Sequence, residues 1–565
     1  MKLKVMIFSL LMFAHTFIPL AVFGQGSELV FPIEESSPSV LPEVAGFAFG
    51  GKVGFNLVLT KLPYKYILFS FSVSPARIID RVDLEPDFGS SQESATIPRI
   101  FLKVNDQRGL AFVFGQHTNG AQCLFAFQSE TNGLLRRLWS VSYPRNAFLS
   151  AESDLAVNAD ASRLCWIHYF PRESALPPNP SQLAITSSTL RTLSLWPSPS
   201  DPVNRTEPYL TLTSLVTRQL SFIRATDGAQ LAMTELPFNS IFTSVFFDEA
   251  QRRVVAIADK TVIVFATSFD RLDPESTFSP AMSSSDVVGQ GITKDGRFLL
   301  AYGGYKPDPN ESKSGLNYYI SFDLEMHSAS ELALRETFFP ISNGITFHQA
   351  KAMLFAPLTA DLTFGSGVTP SRSSRDVDIL GLQQDGSLTR ICQVKLPKRS
   401  TGSLSPNALS SYCNIEVSES GAMAFIPSGN GRLFTVDTAD GEIIRDILIN
   451  PNGGLVSIKV LEPLKRLVAS DHTNRFLLLD ATTGPVISSI AVKRKSTIIS
   501  GENFLNGAHV LFDGIDLGIA NRSANYPGRE IVLDRGKKDF TRGQLLRFMI
   551  VNPDGLTSNE FTIQR

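Results

Sequence analysis

The sequence predicts an all-β protein: a β-propeller of seven blades, with eight as the alternative, followed by a small C-terminal β-sandwich. Three observations predict it. A strand, tight turn, strand unit recurs along most of the chain; its copies lie at blade-sized intervals; and the character of the chain changes from Pro485 onward. Short apolar runs broken by Gly and Asp turns are the mark of hairpin meanders.

The plainest copy of the unit is IEVSESGAMAFIPSGNGRLFTVDTADGEIIRDILI, from Ile415. Two apolar runs flank Ser418-Glu419-Ser420-Gly421, a third follows Gly429-Asn430-Gly431, and a fourth follows Asp440-Gly441. The first hairpin recurs from Leu102, Leu155, Ser244, Gly291, Gly344 and Ile458, which makes seven clear copies. Successive first strands are mostly about 43 to 53 residues apart, the length of a propeller blade. The intervals from Val157 to Phe246 and from Phe347 to Val417 are longer, and the former contains an extra hairpin-like piece that suits a degenerate eighth blade. Another hairpin, YILFSFSVSPARIIDRVDL from Tyr66, either forms a blade or completes the last one.

Composition narrows the function classes. A chain of 565 residues that is 43% hydrophobic has ample material for more than one core. Its 52 basic and 54 acidic residues give a net charge of -2, with no broad field to draw in nucleic acid. Residues 1–24 read as a signal peptide: Lys2 and Lys4 precede an apolar run, and Ala21-Val22-Phe23-Gly24 forms a small-residue exit with cleavage after Gly24. The alternative is an uncleaved anchor, since the apolar run nearly spans a bilayer. No later stretch approaches a membrane span, so the expected localisation is secreted, periplasmic or cell-surface. Residues 25–42 read as a linker, 43–484 as the propeller and 485–565 as the sandwich. Val486 to Val492 suits either the last blade or the sandwich; in the second case the segment after Val44 is the expected donor of the missing strand.

The turn Gly291-Ile292-Thr293-Lys294-Asp295-Gly296 and the third strand Leu433-Phe434-Thr435-Val436-Asp437-Thr438-Ala439-Asp440-Gly441 resemble the ISxDG and xVxDxxTG patterns of exported YVTN and lactonase-like propellers. The resemblance implies a fold and leaves the reaction open. Near the C-terminus, Gly501-Glu502-Asn503-Phe504, Val510 to Gly514, and Asn552-Pro553-Asp554-Gly555 through Phe561 resemble the IPT/TIG family of Ig-like sandwiches. Residues 515–543 depart from that pattern.

Strands of a meander alternate in direction, so the turns joining first to second and third to fourth strands share one face. Those turns are short, whereas Pro- and Ser-rich insertions from Glu85, Pro171, Trp196, Lys306, Thr359 and Pro397 fall on the other face. Binding sites favour such loops on a rigid scaffold.

Beyond the signal the histidines are His117, His168, His327, His348, His472 and His509. His117 and His472 each begin a His-Thr-Asn in equivalent connections. They are weak metal candidates, and the plain alternative is a tight turn. Cys392 and Cys413 are the best candidate disulfide, against free buried thiols for these and for Cys123 and Cys165. Gly289-Gln290-Gly291 lacks the helix a dinucleotide site needs and reads as a hairpin turn. Asp295, Asp385, Asp437 and Asp440 read as turn residues, and the tryptophans as packing between blades. No cofactor motif and no catalytic constellation stands out. The leading reading is therefore a non-enzymatic binding or scaffold protein for a protein or glycan partner. The rival is a hydrolase, lactonase or lyase working at the central funnel through His117 and His472.

Overall fold

The structure, a computed structural model, describes residues 28–30, 46–60, 62–92, 100–118, 121–143, 154–171, 216–237, 243–258, 260–268, 271–283, 285–304, 317–333, 346–357, 376–396, 415–427, 431–450, 455–471, 475–480 and 484–565. Among these residues the chain ahead of the sandwich forms eight four-stranded antiparallel sheets. They lie at 46–83, 100–143, 154–236, 243–278, 285–333, 346–395, 416–448 and 455–480, the last completed by Glu28–Val30. The propeller thus has eight blades, the alternative to the expected seven. The additional blade is the first, which contains the hairpin from Tyr66. The extra piece between Val157 and Phe246 is instead the outer half of blade three, Val216–Arg224 and Gln230–Leu236.

Strand periodicity explains how the blades stack. Successive side chains of a strand point to opposite faces of its sheet, and here both faces are covered. Along Leu110–Gln116, Leu110, Phe112 and Phe114 join the core shared with blade three, while Ala111 and Val113 join the core shared with blade one. A run buried on both sides must be apolar throughout, as LAFVF is. Equivalent clusters lie between each pair of neighbouring blades, and one containing Phe47, Phe71, Leu461 and Phe476 joins blade eight to blade one. Phe71 meets Phe47 edge-on at 5.8 Å and lies 5.9 Å from Phe476. The ring is closed by packing.

It is also closed by strand exchange. Glu28–Val30 forms the outermost strand of blade eight, antiparallel to Arg475–Asp480 with Leu29 opposite Phe476. The donor therefore comes from the N-terminal end, as expected, but from upstream of Val44, inside the stretch read as a linker. Residues 46–48, which follow Val44, are the innermost strand of blade one. Val486–Val492 pairs with Thr497–Glu502 and belongs to the sandwich.

Two further four-stranded sheets build that sandwich. Ile487, Ile499 and Ile531 of one sheet share a core with Val510, Phe548 and Ile550 of the other. The expected signal, 1–24, lies outside the described residues, and among those described no helix is long and apolar enough to cross a membrane.

Candidate interaction surfaces

Strand bounds define two unlike faces of the ring. Among the described strands, every turn joining first to second or third to fourth strands is between two and five residues long. The opposite face carries the long connections, including those from Pro171 to Val216, Pro357 to Asp376 and Lys395 to Glu416. Their loops, with Trp196 among them, lie outside the described residues.

One part of the long-loop face is described, where blade one passes to blade two. The short helix Glu85–Phe88 buries Phe88 against Phe125, ring to ring at 5.0 Å. Asp87 is buried beside it and pairs with Arg137 at 2.7 Å. Burial pushes the Asp87 carboxyl up, and the Arg137 charge pulls it back. Arg137 also lies over the Phe125 ring at 4.6 Å. His117 stands at the end of Leu110–Gln116. Its amide donates to the Ala121 carbonyl at 2.8 Å, and the next amide, of Thr118, donates to the Phe88 carbonyl at 2.9 Å. The histidine turn is thus fastened to the helix, and its Nδ1 lies 3.4 Å from Thr118 Oγ1. His472 lies outside the described residues. The strands that bound its connection, Arg466–Asp471 and Arg475–Asp480, are the second and third of blade eight. Among the described residues no three histidine, cysteine, aspartate or glutamate side chains gather as a metal would need.

Cys413 also lies outside the described residues, and the pairing with Cys392 with it. Cys392 Sγ lies 3.6 Å from the Thr438 carbonyl of blade seven, and burial pushes its thiol up to about 11. Gly289-Gln290-Gly291 is not a hairpin turn: it lies inside Ser285–Ile292, the innermost strand of blade five. The glycines serve close packing. A β-carbon at Gly289 would come within 2.6 Å of Phe246 on blade four, and one at Gly291 within 2.4 Å of Phe347 on blade six.

Two of the tryptophans, Trp139 and Trp166, pack between blades. Trp166 is fully buried between blades two and three, and Trp139 Nε1 donates to the Ala225 carbonyl across the same junction at 2.8 Å. His168, also fully buried there, has its Nε2 2.7 Å from Ser221 Oγ and stacks on Tyr143 at 4.4 Å. Burial lowers its pKa to about 3, so the imidazole is neutral at physiological pH.

The short-turn face carries the sandwich. Leu505, 1% exposed, enters the core between blades seven and eight with Met423, Phe425 and Ile444, while its neighbour Phe504 stays in the sandwich core. The next amide, of Asn506, donates to Asp437 Oδ2 at 2.6 Å. Arg522 donates to the same Asp437 oxygen at 3.0 Å and to Asp440 through its other terminal nitrogen. Arg445 lies 3.8 Å from Glu502. Two asparagines of the sandwich hold the docking turn. Asn552 accepts from the Leu505 amide at 3.2 Å and donates to the Asn503 carbonyl at 2.8 Å, and Asn503 donates to the Gly484 carbonyl at 3.1 Å.

Asp295 and Asp385 act as turn residues: their carboxylates accept the Arg297 and Ser387 amides at 3.1 and 2.9 Å. Asp437 and Asp440 do so too, accepting the Ala439 and Glu442 amides, each at 3.0 Å. Their second task, holding Arg522, joins residues far apart in sequence, and no local pattern announced it.

No protein-family profile matches the chain, and no curated protein matches it in sequence. Among solved structures it is similar to Saccharomyces cerevisiae Sqt1, at 8% identity and a TM-score of 0.45, over 81% of this chain and 100% of that one. It is similar to Chaetomium thermophilum Sqt1 bound to the N-terminus of the ribosomal protein L10, at 9% identity and 0.46, over 78% and 97%. It is also similar to the β-propeller domain of Myceliophteria thermophila Cps50 (Swd1), at 9% identity and 0.35, over 66% and 94%.

Proposed function

We propose that this chain is an exported, non-enzymatic binding or scaffold protein whose long-loop face recognises a protein or glycan partner at the cell surface or in the extracellular space. One observation supports the reading above the rest. The sandwich occupies the short-turn face, while the long connections after Pro171, Pro357 and Lys395 start from the ends of strands on the other side. A rigid ring with variable loops on one face is a general design for recognition.

In this reading the propeller, 43–484, is of the YVTN/lactonase-like kind and 485–565 is an IPT/TIG-like, Ig-like module. Glu28–Val30 belongs functionally with the propeller. Asn503 and Asn552, both in the segments that carry the IPT/TIG resemblance, steady the turn that docks the module, so the module is a fixed element and not a loose spacer. Cleavage after Gly24 agrees with this arrangement, because it leaves Glu28–Val30 to complete blade eight.

The test is to replace 359–374 and 398–411 with short Gly-Ser linkers and to measure adhesion of the labelled full-length protein to the surface of the producing cells. Adhesion should be lost while the melting temperature stays nearly unchanged, since surface loop length costs little. Adhesion that survives the trimming, or loss of folding, would refute the assignment. N-terminal sequencing of the exported protein should begin at Gln25.

A further inference from the structure

The far end of the sandwich, away from the propeller, concentrates positive charge. Thr497, which opens the strand Thr497–Glu502, lies opposite Leu533, which closes Glu530–Leu533, so the turn 493–496 and the segment 534–539 meet at one end of that sheet. Glu502, leading into Asn503 and the docking residue Leu505, stands at the other end. The two basic segments touch. The Lys537 amide donates to the Lys493 carbonyl at 2.8 Å, and Thr497 Oγ1 donates to the Arg535 carbonyl at 2.7 Å. Gly536 permits the approach, since a β-carbon there would come within 2.5 Å of the Arg494 carbonyl oxygen.

Lys493, Arg494 and Lys495 are thereby set beside Arg535, Lys537 and Lys538, with Arg542 on the next turn. All seven are exposed, and none forms an ion pair among the described residues; the ion pairs of the sandwich involve Glu502, His509, Arg522 and Arg547 instead. The acids in these segments are Asp534 and Asp539, and Asp539 accepts the Gly536 amide at 2.7 Å. With both acids counted as charged, seven cations stand against two anions. Asp513 in the neighbouring turn and the Arg565 guanidinium offset each other. The whole chain has 52 basic and 54 acidic residues, so the excess is local. The six residues of Thr497–Glu502 span about 17 Å, roughly two screening lengths at physiological salt, so acids at the docking end do not cancel it.

Apolar side chains frame the charge. Leu545, 51% exposed, begins Leu545–Val551 shortly after Arg542, and Ile515, 66% exposed, follows the turn Asp513-Gly514. Phe512 lies opposite both Ile515 and Phe548, which puts that turn at the same end of the sandwich. Cations interspersed with exposed apolar side chains suit a bilayer surface, where the first meet anionic headgroups and the second enter the interface. A soluble polyanion would use the charge alone.

We propose that this tip is a docking surface for a lipid bilayer with anionic headgroups. It is separate from the long-loop face and does not depend on recognition there. With the sandwich seated on the short-turn face, a tip held at a membrane leaves the long loops turned away from it.

The test is co-sedimentation of the full chain with vesicles of two parts phosphatidylcholine to one of phosphatidylglycerol, beside vesicles of phosphatidylcholine alone. The protein should bind the anionic vesicles, ignore the neutral ones and be released by high salt. Each Lys or Arg near an anionic surface strengthens binding by about fivefold, so Lys537→Ala with Lys538→Ala should weaken it by about twentyfold, and Arg494→Ala with Lys495→Ala by about the same factor. Both double variants should keep the natural melting temperature, because the four side chains are exposed. Leu545→Ser should weaken binding by about fivefold. Arg529→Ala, at the docking end, and trimming of 359–374 and 398–411 should leave it unchanged. Equal binding to neutral vesicles, no binding to either kind, indifference to the double variants, or an equal loss in Arg529→Ala would overturn the assignment. Binding to dextran sulfate without binding to vesicles would assign the tip to a soluble polyanion and overturn it equally.

Discussion

Replacing Arg522 with alanine should unseat the sandwich while leaving both folded parts intact. The size of the effect follows from burial. Arg522 is 11% exposed and Asp437 3%, at 3.0 Å, so water screens the pair little. Removing one partner of a buried pair costs about 3–5 kcal/mol, chiefly because the remaining charge is left uncompensated. Asp437 would keep the Asn506 and Ala439 amides, which places the cost near the lower end, about 3 kcal/mol. That is on the order of a hundredfold in the balance between seated and unseated forms. The Asn506 amide donates to Asp437 only when the module is seated, so its hydrogen exchange reports the balance directly. Its protection should fall by roughly that factor in Arg522→Ala, while the sandwich core around Ile550 keeps its protection. A double-mutant cycle with Asp437→Asn should return most of the loss as coupling. The control is Arg432→Ala: that arginine pairs with Asp446 at 2.6 Å, but the two are 39% and 37% exposed. Its cost should lie at about 0–1 kcal/mol. An unchanged Asn506 amide, or equal effects at Arg522 and Arg432, would refute the argument from burial.

Two more outcomes are expected. Gly54→Ala would place a β-carbon 2.2 Å from the Phe71 ring, which Phe47 and Phe476 hold from other sides, so the urea midpoint should fall by the equivalent of about 1–3 kcal/mol; an unchanged midpoint would show that the ring can yield. For His168 the folded-state pKa is depressed to about 3 from an ordinary 6.5, so the unfolded chain binds the extra proton and stability falls as pH drops from 6.5 towards 3. The difference in unfolding free energy between the natural protein and His168→Gln should narrow by about 1.4 kcal/mol per pH unit in that window, and a pH-independent difference would count against a neutral buried imidazole.

Much of the ring was legible because its turns are chemical. Asp295-Gly296, Asp385-Gly386 and Asp440-Gly441 mark hairpins with side-chain caps that depend on near neighbours alone, and seven copies could be aligned on such turns. Blade one escaped the alignment for a physical reason. Four glycines, Gly46, Gly50, Gly51 and Gly54, fall across its first hairpin and interrupt the apolar runs by which the other copies were aligned. The closing strand Glu28–Val30 is too short for any periodicity to register. Gly289 and Gly291 misled because two glycines in a strand look like a turn until Phe246 and Phe347 arrive from other blades. The sandwich seat was out of reach altogether: Arg522 lies in the stretch that departs from the family pattern, and its partners are in blade seven. The one-sided loops could be read from spacing alone, but the asymmetry gained a cause once the sandwich was found on the short-turn face.

Strand exchange at blade eight has a consequence for the order of events during synthesis. Leu29 is made long before Phe476, and their pairing closes a loop that contains nearly the whole propeller. Closure at such sequence separation is slow compared with the hairpins inside each blade. Until it happens, the third strand of blade eight presents an open edge to any strand nearby. The ring is therefore most exposed to misassembly at the last step, when Glu28–Val30 must find blade eight.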